Sequence, residues 1–346
     1  MIKSFSGKRF YSALVLLMVM AVTLSASVGA ATITPGNTLR IILSMIPVIG
    51  ERIDISHISD AHQFILLHIR LPRIMLSLLV GCSLSIVGTA MQGMLKNPMA
   101  DPFIIGTSSG AALGAATAIV FRFNQSIFGF GAVSVTAFFG ALLSTSIVYR
   151  LARLKTRVPV TSLLLAGVAT GQFFAAILSF LIVIASRDVN SIIYWTLGSF
   201  SARGWNHVGI VIIPLILGTA VLMAYAKDLN LLLLGEDTAA NTGVEVEKVK
   251  RIILVISTLM TAFAVSVSGI IGFVGLIVPH VTRILTGPDH RHLIPAAGLM
   301  GGLFLVLTDT LSRTVISPAE LPVGILTALA GAPFFIYLLR KTNKLG

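Results

Sequence analysis

Charge is what this chain has least of. Asp, Glu, Lys and Arg make up 11% of its 346 residues, against roughly a quarter in a typical soluble domain. With 55% apolar residues and a mean hydropathy of +0.95, a water-soluble fold of this length could not hide its own apolar surface, and no long polar block is left for a soluble catalytic domain. Cysteine is nearly absent too. The single Cys82 lies in an apolar run, so no intramolecular disulfide and no Cys-x-x-Cys metal site can form. There is no G-x-x-x-x-G-K-[ST] phosphate loop and no H-E-x-x-H pair, which removes the commonest nucleotide and zinc chemistries. The seven histidines are scattered. His290 and His292, in Asp289-His-Arg-His292, could bind a metal, but a solvated loop is the plainer reading. Acidic residues are not strung through the apolar segments, with Asp309 the main exception. It precedes Arg313 by four, so the two can pair on one helix face. A proton-driven carrier usually needs a carboxylate at membrane depth, and one locally paired Asp supports that only weakly.

What is present is a succession of apolar runs. A spanning helix needs about 20 apolar residues, and ten such spans are expected at about 11–33, 64–95, 103–121, 129–149, 159–185, 206–226, 250–268, 270–285, 293–312 and 321–339. A polar segment broken at Pro35-Gly36 and Pro47 runs to about residue 60. A short interfacial helix is expected around 190–197, and a polar insert fills 227–249. With the amino terminus inside, the inner loops and ends hold about twice as many of the 25 basic residues as the outer ones. That agrees with the positive-inside rule; an odd number of spans would scramble it. Lys3 and Lys344 count among the inner charges. Lys3, Lys8 and Arg9 before the first apolar run, with Gly29-Ala30-Ala31 after it, also look like a secretory signal. In a chain this polytopic, a retained first helix is the better reading.

Three features carry possible function. Arg70-Leu71-Pro72-Arg73 sets two fixed charges at one end of the second span, and Asn97-Pro-Met-Ala-Asp-Pro102 makes a proline-broken turn at the other. Arginines there suggest a docking surface and the broken turn a gate. Gly106, Gly110 and Gly114 share one helix face, which suits close helix packing. Gly269, Gly272 and Gly275 are expected either to pack closely or to form a turn. In the insert, Glu236 and Asp237 fall in the first turn of a short helix, where its dipole favours them. Ala239 and Ala240 keep it slim, and Gly243 fits a C-terminal cap. Such a helix could be gripped by another protein or be an ordinary connector.

Ordered blocks along the chain then make a resemblance visible. They are Arg70-Leu-Pro-Arg73, Leu79-Val-Gly81, Gly88-x-x-x-Gln92-Gly, Asn97-Pro-Met-Ala-Asp-Pro102, Gly106-x-x-x-Gly110-Ala, Tyr194-Trp-x-Leu-Gly198-Ser-Phe, Gly272-Phe-Val-Gly-Leu-Ile-Val-Pro-His280-x-x-Arg283, Gly287-Pro-Asp-His-Arg291, Glu320-Leu-Pro-Val-Gly324 and Gly331-Ala-Pro-Phe334. From about residue 65 to 340 the chain resembles the permeases of ATP-binding-cassette importers for iron chelates, haem and vitamin B12. The resemblance implies an all-α integral membrane protein of about ten helices with the type II importer permease fold, forming one transmembrane domain over 1–346.

It further implies a permease homodimer, two separate ATP-binding-cassette ATPase subunits and an extracytoplasmic substrate-binding protein. The chain itself would hold no cofactor, no metal and no catalytic residue, contact lipid but no nucleic acid, and sit in a bacterial inner membrane with both termini cytoplasmic. Carried over by position, Arg70, Arg73 and Arg313 are the docking arginines. Gly235, Glu236, Asp237, Ala239, Ala240 and Gly243 belong to the ATPase-coupling helix, where Thr242 replaces a leucine frequent in the family. Asn97, Met99, Val160 and Thr161 match a cytoplasmic gate. The rival reading is a secondary transporter driven by an ion gradient.

Overall fold

The computed structural model describes residues 7–29, 31, 33–45, 50–123, 131–155, 157–185 and 187–342. Lys3, Ala30, Pro47 and Lys344 lie outside them. Among the described residues the fold is all-helical, with only an isolated bridge between Leu154 and Arg157 outside the helices. Seven helices are long and apolar enough to cross a membrane: Arg9–Ser27, Asp60–Met94, Ala132–Ala152, Val160–Ile184, Trp205–Ala224, Val246–Ser268 and His290–Thr314. Three shorter apolar helices, Thr107–Val120, Val274–Thr286 and Val323–Leu338, occupy the other three expected positions.

In chain order the helices are α1 (Gly7–Ser27), α2 (Pro35–Ser44), α3 (Asp60–Phe64), α4 (Leu71–Met94), α5 (Thr107–Val120), α6 (Ala132–Ala152), α7 (Val160–Ile184), α8 (Val189–Thr196), α9 (Trp205–Ala224), α10 (Ala226–Leu233), α11 (Glu236–Asn241), α12 (Val246–Ser268), α13 (Val274–Thr286), α14 (His290–Thr314) and α15 (Val323–Thr342). A π-helical turn, Ile65–Arg70, joins α3 to α4. The Leu67 carbonyl there accepts the Trp205 indole N–H at 3.0 Å. The interfacial helix anticipated at 190–197 is α8. The Pro35-Gly36 pair does not break the chain as expected. Thr34 caps α2 by accepting the Asn37 N–H, and Pro35 starts the helix, a position that needs no amide hydrogen.

Helix α4 is the axle of the bundle. Nearly every residue from Leu71 to Met94 is buried, and α12, α13 and α14 all pack on it. A helix apolar on all sides belongs in an interior, and glycine sets how close its neighbours come. A Cβ on Gly81 would strike the Gly301 backbone of α14, and one on Gly88 the Gly275 backbone of α13. In the same way Gly110 and Gly114 of α5 lie against Gly140 and Thr136 of α6, with Ala111, Ala115, Ala137 and Ala141 filling that contact. In lipid no hydrophobic drive pulls helices together, so backbone approach and dispersion must do it. Gly269 does not pack in a helix: at φ +70 it ends α12, and α13 starts only at Val274 after Phe273 at φ +68. The eighth span is therefore shorter than the 270–285 read from hydropathy.

Candidate functional site

The sequence-nominated residues gather at the two ends of α4. Arg73 and Met94 are 21 positions apart in the helix numbering, roughly 30 Å at 1.5 Å per residue.

At the Arg73 end lies an ion network. Arg73 donates through Nε and Nη2 to Asp309 at 3.0 and 2.9 Å, and through Nη1 to both oxygens of Glu320 at 2.9 Å. Arg313 Nε lies 3.3 Å from the other Asp309 oxygen, the i,i+4 pairing anticipated from the sequence. Arg313 also donates to the Ser25 carbonyl and hydroxyl at 3.1 and 2.8 Å. Arg70 donates to the carbonyls of Ala26 at 2.8 Å and of Ala31. Arg70 and Arg313 thus satisfy carbonyls at and just beyond the end of α1, which its own helix leaves unpaired. The three arginines expected to face a partner are only 5%, 7% and 8% exposed for Arg70, Arg73 and Arg313. Their guanidinium groups bind the chain's own acids and carbonyls, so in this arrangement they form no outward patch. Asp309, fully buried, has both carboxylate oxygens engaged by arginine, Arg73 at 2.9 to 3.1 Å and Arg313 at 3.3 Å.

At the Met94 end, α11 forms as expected, with Glu236 and Asp237 in its first turn. It closes in a Schellman motif: the Val244 N–H reaches the Ala239 carbonyl at 3.1 Å, and the Gly243 N–H reaches that of Ala240 at 3.0 Å. Gly243 sits at φ +91, a left-handed conformation that glycine adopts without cost. Ala239 is buried against the bundle, while Asp237 and Ala240 face outward beside a cavity of about 610 Å³ that Arg157, Glu245 and Arg251 help line.

One side chain ties α11 to the rest, and the sequence reading missed it. Lys250, on α12 and 7% exposed, reaches Glu236 at 2.6 Å and Glu247 at 3.5 Å. The other oxygen of Glu247 accepts the Val158 N–H at 3.0 Å. Val158 and Val160 line a small cavity with Met94, Leu163, Lys250 and Leu254. A chain of contacts therefore runs from α11, through Lys250 and Glu247, to the segment that begins α7. The i,i+3 spacing of Glu247 and Lys250 was readable; the Glu236 link was not.

The gate candidates divide. Val160 is half-buried and Thr161 is exposed at the start of α7. Asn97 and Met99 are half-buried on the turn after α4, where the Asn97 side chain accepts the Met99 N–H at 2.9 Å. In the same turn burial pushes the Asp101 carboxyl up to about 6, against the pull of the Phe103 N–H it accepts. Asp289 is held below the ordinary range by the Arg291 N–H and the Asn230 amide. His290 bonds Asn230 at 2.8 Å, and the described residues contain no group of three metal-ligating side chains.

Comparison with known proteins matches this architecture. The model of the FecCD transport family matches residues 16–341. The chain is 47% identical over 283 residues to the cobalamin import system permease protein BtuC of Halobacterium salinarum, covering 82% of this chain and 75% of that protein. It is 40% identical to the hemin transport system permease protein HmuU of Yersinia pestis, covering 83% and 84%. A solved inward-facing structure of a metal-chelate type ABC transporter superposes with a TM-score of 0.82 at 31% identity, over 96% of this chain and 99% of that one.

Proposed function

The chain belongs to the FecCD transport family, and from that premise we propose that it is the membrane permease through which an ATP-binding-cassette importer passes an iron chelate, haem or cobalamin into the cell. Two of its relatives are named as permease proteins of a cobalamin import system and a hemin transport system. In this reading the chain is one membrane domain in a bacterial inner membrane, both termini cytoplasmic, that pairs with a second copy. Two ATPase subunits sit beneath α11, and a substrate-binding protein docks at the Arg73 end. Direct contact with Arg70 and Arg313 would require the carbonyls at the end of α1 to withdraw from them.

The observation that carries the reading is the Glu236–Lys250–Glu247–Val158 chain. An ATPase that grips α11 can move the carboxylate of Glu236. Lys250 is bound to that carboxylate and to Glu247, and Glu247 holds the backbone where α7 begins. Force applied at the surface helix thus reaches the Val158 backbone, two residues before α7 begins at Val160, through polar contacts shorter than 4 Å. Access would then alternate as a shift between two packings of the same helices. The buried, doubly paired Asp309 speaks against the ion-driven alternative, which needs a carboxylate free to load and release its ion.

The test is removal of residues 236–243. Uptake is expected to fall to background while the shortened permease still reaches the membrane. Undiminished uptake would exclude coupling through α11.

A further inference from the structure

The loop between α8 and α9, at the Arg73 end, holds an arginine that no acid answers. Among the described residues Arg203 has no ion-pair partner, and its Nε has no hydrogen-bond acceptor. Among the described residues its one side-chain contact within hydrogen-bond range is the His207 ring: Nη1 lies 3.3 Å from Nε2. The Gly204 N–H lies 3.3 Å from the other ring nitrogen, Nδ1. A neutral imidazole has one acceptor nitrogen and an imidazolium has none, so the ring cannot serve both donors. Whichever tautomer holds, Arg203 or Gly204 is short of an acceptor. Arg203 is half-buried, and burial lowers its pKa, as expected of a partly desolvated cation without a counter-charge.

Arg203 lines a cavity of about 370 Å³ with Ser191, Trp195, Ser199, Ser201 and Glu320. The Trp195 indole N–H is a second buried donor with no acceptor. Glu320, the one acid in the lining, already gives both oxygens to Arg73. The walls are held in place. Ser199 N–H binds the Ser268 carbonyl at 2.8 Å, and Gly324 N–H binds that of Leu197 at 3.1 Å. Gly198 and Gly269 sit at φ +70, where a side chain on Gly198 would meet the Ile270 carbonyl at 2.5 Å. A preformed cavity of this size with an excess of donors and one uncompensated cation asks for a group that only accepts hydrogen bonds and carries negative charge. Unpaired buried donors are costly, and a planar guanidinium matches the fork of a carboxylate.

We propose that this cavity is a binding subsite for a carboxylate-bearing small solute, with Arg203 as its counter-charge. The proposal rests on the importer reading and deepens it. It gives the cargo a chemical class, a carboxylate-bearing solute, met at the Arg73 end before it crosses.

The chain's two tryptophans allow a direct test. Trp205→Phe leaves Trp195 as sole reporter, and that background is purified in nanodiscs without ATPase or binding protein. Citrate, at constant ionic strength, is expected to change Trp195 emission saturably, and uncharged triethyl citrate is not. Arg203→Gln should weaken the citrate response by about tenfold or more, the effect of losing a charge-assisted hydrogen bond, and Arg203→Lys should weaken it less. Unfolding midpoints measured alongside identify any variant that fails to fold; Arg203→Lys then carries the comparison. Equal responses to citrate and its ester, or an unchanged citrate response in a folded Arg203 variant, would overturn the subsite. A response to an acidic peptide but none to citrate would overturn the small-solute assignment. Because no ATPase is present, failure here leaves the coupling role of α11 to its own deletion test.

Discussion

Asp309→Asn is expected to cost this permease ~3–5 kcal/mol of stability, the range seen when one partner of a buried ion pair is removed. The size follows from what is left behind. Asp309 is fully buried, and both Arg73 and Arg313 lie within 3.3 Å of it. Asparagine fits the space but carries no charge, so two guanidinium groups lose their shared anion in an interior that cannot solvate them. Glu320 still answers Arg73 from a more exposed position, while Arg313 keeps only carbonyl and hydroxyl acceptors at the end of α1 and just beyond it. The loss should surface where α14, α4 and α1 meet. Thermal unfolding in detergent reads it as a midpoint lower by about five degrees, with Asp309→Glu falling between. An unchanged midpoint would mean that the network adds nothing to the fold.

Lys250→Met is expected to uncouple transport without unfolding the protein. Methionine keeps most of the aliphatic stem that packs against the bundle and removes only the ammonium. Glu236 and Glu247 then share one site without a cation between them, and their repulsion favours a conformation in which α11 and the start of α7 move independently. Glu236 is about a third exposed, so solvent tempers the energetic loss. A residual effect of about 1.4 kcal/mol on coupling would lower uptake about tenfold. Uptake should therefore drop by that factor while the ATPase subunits still co-purify with the permease. Lys250→Arg should retain most activity. A double-mutant cycle with Glu236→Gln gives the sharper test, because residues acting through one another are non-additive. Purely additive losses, or full uptake in Lys250→Met, would contradict the linkage.

How much of this was legible beforehand depended on distance along the chain. Spans declare themselves in runs of about twenty apolar residues, and the all-helical fold followed from them. Glycine spacing announced that one face of α5 packs closely, though not that α6 lies against it, and Gly243 announced the end of α11, because both are local backbone geometry. Helix α2 was hidden behind a Pro-Gly pair that reads as a break unless Thr34 is recognised as its cap. The pairing of Asp309 with Arg313 was visible because both stand on one helix. Arg73 with Glu320 joins residues 247 positions apart, and Lys250 with Glu236 crosses from one helix to another. No local pattern encodes such pairs. That is why Arg70, Arg73 and Arg313 read as outward docking groups, whereas folding turns them inward. Arg203 escaped notice for the opposite reason: an arginine in a loop looks solvated until its neighbours are known.

In the importer reading, this polypeptide moves cargo only when ATPases attached from outside drive it. Reconstitution in liposomes measures it most directly. Radiolabelled ferric chelate, haem or cobalamin is offered with the binding protein and ATP, first to vesicles holding the permease alone, then to vesicles that also hold the two ATPase subunits. Accumulation above the external concentration is expected in the second set and absent from the first. Uphill accumulation by the permease alone would contradict the account.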